Sequence, residues 1–93
     1  MKFDKKLLND ARQLFYCVYV DKLSADKTTY AGSTTATEGD RVRIYPTSWD
    51  YETDTTFNNN EELKTYIDEY INSEIECYAI SGIVMSRDDI LKI

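Results

Sequence analysis

The side chains in this sequence best placed to do chemistry are carboxylates. Asp50, Glu52 and Asp54 occupy every second position of the stretch SWDYETDT, residues 48–55, which also holds the only tryptophan, Trp49, together with Tyr51. Glu61, Glu62, Asp68 and Glu69 follow shortly after. Such a set has three possible uses: an acid and base pair for hydrolysis, an oxygen cage for a hard cation, or a charged surface for a basic partner.

The rest of the composition weighs against catalysis. The 93 residues contain no histidine, which removes the usual neutral-pH general base and the commonest transition-metal ligand. Three glycines form no phosphate-binding loop, and the serines and two cysteines have no histidine to activate them. Asp50, Glu52 and Glu61 are the residues that would converge as a hydrolytic carboxylate pair, but an abundance of surface acids is the preferred account of them. We therefore expect no enzyme, no catalytic residue and no cofactor.

Residues 50–61 resemble an EF-hand calcium loop in register. Oxygen-bearing side chains fall at loop positions one, three, five and nine, Phe57 at position eight, and Glu61 at position twelve, where a bidentate ligand is needed. The resemblance implies a small calcium-binding module. Thr55 stands where the loop needs glycine for its sharp turn, Glu52 is longer than the usual third ligand, and Pro46 interrupts an entering helix. These departures favour an acidic polar loop with no metal.

Charge becomes informative when divided along the chain. Residues 50–76 hold nine acids and one base, a net of −8, while the remainder holds eight acids and ten bases, a net of +2, which together give the overall −6. A local field of this sign repels nucleic acid and attracts basic surfaces.

The elements that must carry these residues follow from periodicity. Leu63, Tyr66, Ile67, Tyr70 and Ile71 form one helical stripe behind an Asn59 or Asn60 cap. Two rows of acids, Glu61 with Asp68 and Glu62 with Glu69, then lie on the outer side. Residues 75–85 are β-branched and apolar with one charge, which predicts a strand covered on both faces, with Gly82 at a bulge. Ser86 and Asp89 have capping-box spacing for a short terminal helix. Upstream, residues 41–46 alternate with Val42 and Ile44 inward and both arginines outward, and are expected to pair as a hairpin with residues 28–37 through the Glu38-Gly39-Asp40 turn. A helix over about residues 4–13 is followed by a strand. The order α-β-β-β-α-β predicts a small single α+β domain spanning 1–93, a mostly antiparallel sheet of about four strands with one or two helices on one face.

No apolar run reaches the roughly 18 residues needed to cross a membrane, and the N-terminus leads into an amphipathic stretch, so a cytoplasmic location is expected. Cys17 and Cys77 are expected as buried reduced thiols, with a bridge as the alternative.

Eight tyrosines and one tryptophan are many for this size. Tyr66 and Tyr70 lie on the helical stripe and read as packing residues. Trp49, Tyr51 and Tyr45 adjoin charged, loop-like sequence, where aromatic side chains serve as interface anchors, although Trp49 also has a large apolar area to bury. Arg41 and Arg43 beside Tyr45 suggest a single-strand nucleic-acid surface, which the net charge opposes; pairing with neighbouring acids is the preferred account.

Together these features predict a non-enzymatic interaction module whose surface of Trp49, Asp50, Tyr51, Glu52, Asp54, Glu61, Glu62, Asp68 and Glu69 occupies a basic groove of a nucleic-acid-binding protein by charge mimicry, without binding nucleic acid or membrane itself. In size, acidity and lack of catalytic groups the chain resembles small phage and mobile-element inhibitors, including anti-CRISPR and anti-restriction proteins. An oligomerising structural domain is a further alternative.

Overall fold

Asp4 sets the first helix: its carboxylate accepts hydrogen bonds from the backbone N–H groups of Lys6 and Leu7, satisfying donors that a helix start leaves open. In the computed structural model, which describes residues 2–48 and 54–92, this helix is α1, Lys5–Leu14. It is followed by β1, Cys17–Leu23; β2, Tyr30–Ser33; β3, Arg41–Tyr45; β4, Thr55–Phe57; α2, Asn60–Ile80; and α3, Arg87–Leu91. The strands form one antiparallel sheet in the order β2-β1-β3-β4. The α+β class and a mostly antiparallel sheet of four strands are as the sequence predicts, although one of the four is a different segment from that expected and three helices are present rather than one or two.

Alternation divides the sheet into two faces. Val18, Val20, Val42, Ile44 and Phe57 turn inward and join Leu8 and Ala11 of α1, Leu63, Ile67 and Ile71 of α2, and Ile90 of α3 in a single hydrophobic cluster. Phe15 bridges the layers, its ring centroid 5.3 Å from Tyr66 and 5.0 Å from Tyr70. The predicted helical stripe is therefore the core face of α2, with Tyr66 and Tyr70 at its half-buried edge.

Three expectations are overturned. The first is the strand over residues 75–85: α2 continues through Ile80 instead. Ile75 and Tyr78, four and seven residues beyond Ile71, extend the same stripe and pack against the core, and no breaker intervenes. Gly82 is not a bulge. It has φ 79°, and its N–H donates to the carbonyl of Ala79 while that of Ile83 donates to Tyr78, closing the helix in a glycine-dependent C-cap. Ile80 is 88% exposed and Val84 95% exposed, the opposite of a covered strand.

The second is the strand pairing. β2 pairs with β1, not with β3, and β1 lies at the centre between them. The β1–β2 connection is a tight turn held by side chains: Ser24 Oγ accepts from the Thr28 and Thr29 N–H groups, and Asp26 Oδ1 accepts from Thr28. Residues 34–40 then cross β1 on its core-facing side. Asp40 N–H donates to the Asp21 carbonyl, Asp40 Oδ2 accepts from Leu23 N–H at 2.7 Å, and Arg12 Nη2 donates to the Ala36 carbonyl. The predicted turn at Glu38-Gly39-Asp40 is thus part of a crossover. The element order is α-β-β-β-β-α-α, with β4 rather than a C-terminal strand completing the sheet.

The third concerns the burial of the thiols, which are free as expected. Cys77 is exposed on α2 and Cys17 is only partly buried. Among the described residues no helix is long and apolar enough to cross a membrane.

Candidate functional site

The acidic helix begins as its sequence dictates. Asn59 caps α2, its side-chain oxygen accepting from Glu62 N–H at 2.9 Å, and Glu62 Oε2 accepts from Asn58 N–H at 2.8 Å. Glu61 and Glu62 occupy the first turn, where the helix dipole favours negative charge. Along its length α2 carries six carboxylates against one lysine, a net −5.

Those carboxylates do not form the two equivalent rows that the sequence predicts. Asp68 is half-buried and neutralised: Lys64 Nζ donates to Oδ2 at 2.7 Å and Arg87 Nη1 to Oδ1 at 2.6 Å. The Lys64 hydrogen bond, helped by Arg87 against some burial, holds its carboxyl below the usual range. Arg87 is delivered by α3, whose start is fixed by the predicted box, Ser86 Oγ accepting from Asp89 N–H and Asp89 Oδ2 from Ser86 N–H. Asp68 thus ties α3 to α2. Glu61, Glu62 and Glu69 are exposed, and among the described residues they belong to no ion pair. Glu61, Glu62 and Glu69 line an open depression of about 550 Å³ together with Phe57 and Tyr66. Burial pushes the Tyr66 hydroxyl pKa up.

Sequence reasoning missed Glu76. With residues 75–80 helical, Glu76 falls seven positions beyond Glu69, as Glu69 does beyond Glu62, so the three lie along one side of α2 over about 21 Å at 1.5 Å per residue. The signal was available in the continued spacing of Ile71, Ile75 and Tyr78. Of the other predicted residues, Asp54 is exposed immediately before β4. Trp49, Asp50, Tyr51 and Glu52 lie outside the described residues.

Among the described residues, the helix–loop–helix setting of a calcium loop is not present. The element before residues 50–61 is strand β3, and Thr55, at the position requiring a sharp turn, is extended in β4 opposite Ile44.

The second surface is the outer face of the sheet, which no described element covers. Asp21 sits at its centre, 0% exposed, and receives Arg41 Nε at 2.8 Å, Arg43 Nε at 3.0 Å and Arg43 Nη2 at 3.1 Å. Burial pushes the Asp21 carboxyl up, but the hydrogen bonds from Arg43 and Arg41 outweigh it and hold it below its ordinary value. This is the expected pairing of the arginines with an acid, made with one buried residue. Arg43 Nη1 also donates to Tyr45 Oη at 2.9 Å. Its guanidinium lies 4.7 Å from the centre of the Tyr19 ring, and that of Arg41 lies 3.8 Å from the centre of Tyr30.

Comparison with protein families, with curated proteins and with solved structures finds no match for this chain.

Proposed function

We propose that this chain is a non-enzymatic, cytoplasmic interaction module that inhibits a nucleic-acid-binding protein by filling its basic groove. One observation carries the proposal: Glu62, Glu69 and Glu76 line one exposed side of α2 with Glu61 beside them, and none is neutralised by a described base. A rigid helix presents these charges at regular spacing without the ordering cost of a loop, and a row of fixed anions is what a groove lined by lysine and arginine binds in place of phosphates. Half-buried Tyr66, which lines the depression, gives the same surface an aromatic component. From their sequence alone, Asp54 and, outside the described residues, Trp49, Asp50, Tyr51 and Glu52 are added to the proposed partner-binding set. This mode of action is that of phage and mobile-element anti-defence proteins.

The test is a pull-down with the tagged protein from lysate at low and high salt. Retention of nucleic-acid-binding proteins at low salt, and their release by salt or by added DNA, is the expected result. Retention that neither salt nor nucleic acid reverses would reject charge mimicry.

A further inference from the structure

The sheet's outer face uses its arginines in an unusual way. Each of the three nitrogens of the Arg43 guanidinium donates one hydrogen bond, two to Asp21 and one to Tyr45, which fixes its plane and commits three of its five N–H groups. What it offers is a fixed plane. Arg41 has its Nε committed to Asp21 and its plane stacked on Tyr30. Tyr19 and Tyr45 meet edge to face beside Arg43, with centroids 6.0 Å apart. With Tyr16 and Cys17 they border an open hollow of about 580 Å³. Tyr16 is 60% exposed and Tyr30 44% exposed. Aromatic rings and guanidinium planes fixed on an uncovered sheet offer stacking surfaces to a planar ligand.

Charge indicates which planar ligand. The net −6 argues against nucleic acid only if it is spread evenly, and it is not. Residues 2–48, which contain α1 and strands β1 to β3, hold eight bases and six acids, a net +2, whereas residues 54–92 hold nine acids and three bases, a net −6. On the outer face itself two arginines answer one carboxylate. The acidic helix lies behind the sheet, on its core side.

We infer that the outer face of the sheet binds single-stranded nucleic acid, with unpaired bases stacking on Tyr19, Tyr30 and Tyr45 and the excess arginine charge facing the backbone. This inference is independent of the inhibitor reading, because it uses none of the α2 carboxylates.

The experiment is fluorescence anisotropy with labelled oligothymidine and oligouridine of about ten nucleotides, a length typical of such sites, at low and at physiological salt, with a duplex of equal length as control. Binding of the single strands in preference to the duplex is expected. Tyr19→Ala with Tyr45→Ala should weaken it by about tenfold per ring, while the phenylalanine pair, which keeps the rings, retains it. Tyr30→Ala, at an exposed position on the edge strand, gives the same direction and removes the contact with Arg41, and thermal melting shows whether each variant is folded. Replacing Glu62, Glu69 and Glu76 by glutamine leaves binding equal or tighter. The inference is overturned by no single-strand binding at low salt, by equal binding of the duplex, by folded ring-deletion variants that bind normally, or by sedimentation showing that a second copy of the chain covers this face.

Discussion

Gly32 lies directly across the β1–β2 pair from Asp21, and a methyl group on its Cα would sit 2.5 Å from Asp21 Oδ1 and 3.1 Å from Arg43 Nη2. The carboxylate that holds both arginines thus occupies the space where any other residue on β2 would carry a side chain. Because Asp21 is pinned by two guanidinium groups, it cannot swing aside without losing hydrogen bonds.

Gly32→Ala is therefore expected to destabilise the fold by about 1–3 kcal/mol, the usual range for overpacking. Ala31→Ser, at the exposed neighbouring position, should change stability by less than about 0.5 kcal/mol. Urea denaturation of the two variants measures the difference.

Acid should unfold the protein through this same group. Asp21 titrates below its ordinary value in the folded state, as do Asp68, Asp26 and Asp89. The folded protein thus binds these protons more weakly than the unfolded chain, so the stabilisation is complete above the unfolded pKa of roughly 4 and disappears as pH falls through the folded values. With no histidine in the chain, stability is expected to be flat between about pH 5 and 8. Denaturation across a pH series checks this, and a transition centred near neutrality would contradict it. Asp21→Asn should lower the plateau by about 2–3 kcal/mol, less than a fully buried pair because the arginines remain partly exposed.

The stripe on α2 was legible because Leu63, Ile67 and Ile71 repeat with helical spacing and Asn59 and Glu62 mark its start. Its extent was not, since β-branched Ile75 and Ile80 around Cys77 suggest a strand unless the register from Ile71 is followed onward. The central place of β1 was hidden for a different reason: Gly39 and Asp40 are ordinary turn residues, and their use in a crossover depends on Asp21 and Leu23 lying across from them. Among the candidate site residues, Glu61, Glu62 and Glu69 follow from helix geometry alone. Asp68 does not, because Arg87 reaches it only through tertiary packing.

Two substitutions to aspartate separate the helix from the strand it replaced. Ile67→Asp places a charge in the fully buried stripe and should cost more than about 4 kcal/mol, enough to unfold a small domain. Ile80→Asp, at the exposed end of α2, should change stability by less than about 0.5 kcal/mol. Circular dichroism melts of both decide the point, since a covered strand at residues 75–85 would make Ile80 as intolerant as Ile67.

Calcium is expected to leave the melting temperature unchanged up to about millimolar concentration, the weak end of the range for such loops. Thr55 is committed to β4, and the preceding element is a strand. A saturating rise that Glu61→Gln abolishes would restore the calcium-module reading.

The inhibitor reading makes its strongest demand on the α2 row. Exchanging Glu62, Glu69 and Glu76 together for glutamine should lower the melting temperature only slightly, because all three are exposed and none forms a described ion pair. Glutamine keeps the acceptor that Glu62 offers to Asn58 N–H while losing its charge near the helix dipole. If they meet arginines in a closed groove, each charge-assisted hydrogen bond lost costs about 1.5–3 kcal/mol, whereas scattered surface pairs would be worth about 0–1 kcal/mol each. Calorimetry with a captured partner should therefore show a loss above about 3 kcal/mol together with a shallower dependence on salt, since fewer counterions are exchanged. Asp68→Asn should behave differently. Its charge is already answered by Lys64 and Arg87, so its removal should loosen α3 and lower the melting temperature with little change in salt slope. Trp49→Ala should reduce affinity at unchanged slope if the tryptophan is an apolar anchor. A triple variant that binds with the same affinity and the same salt slope would mean that the row on α2 is only a solvated surface.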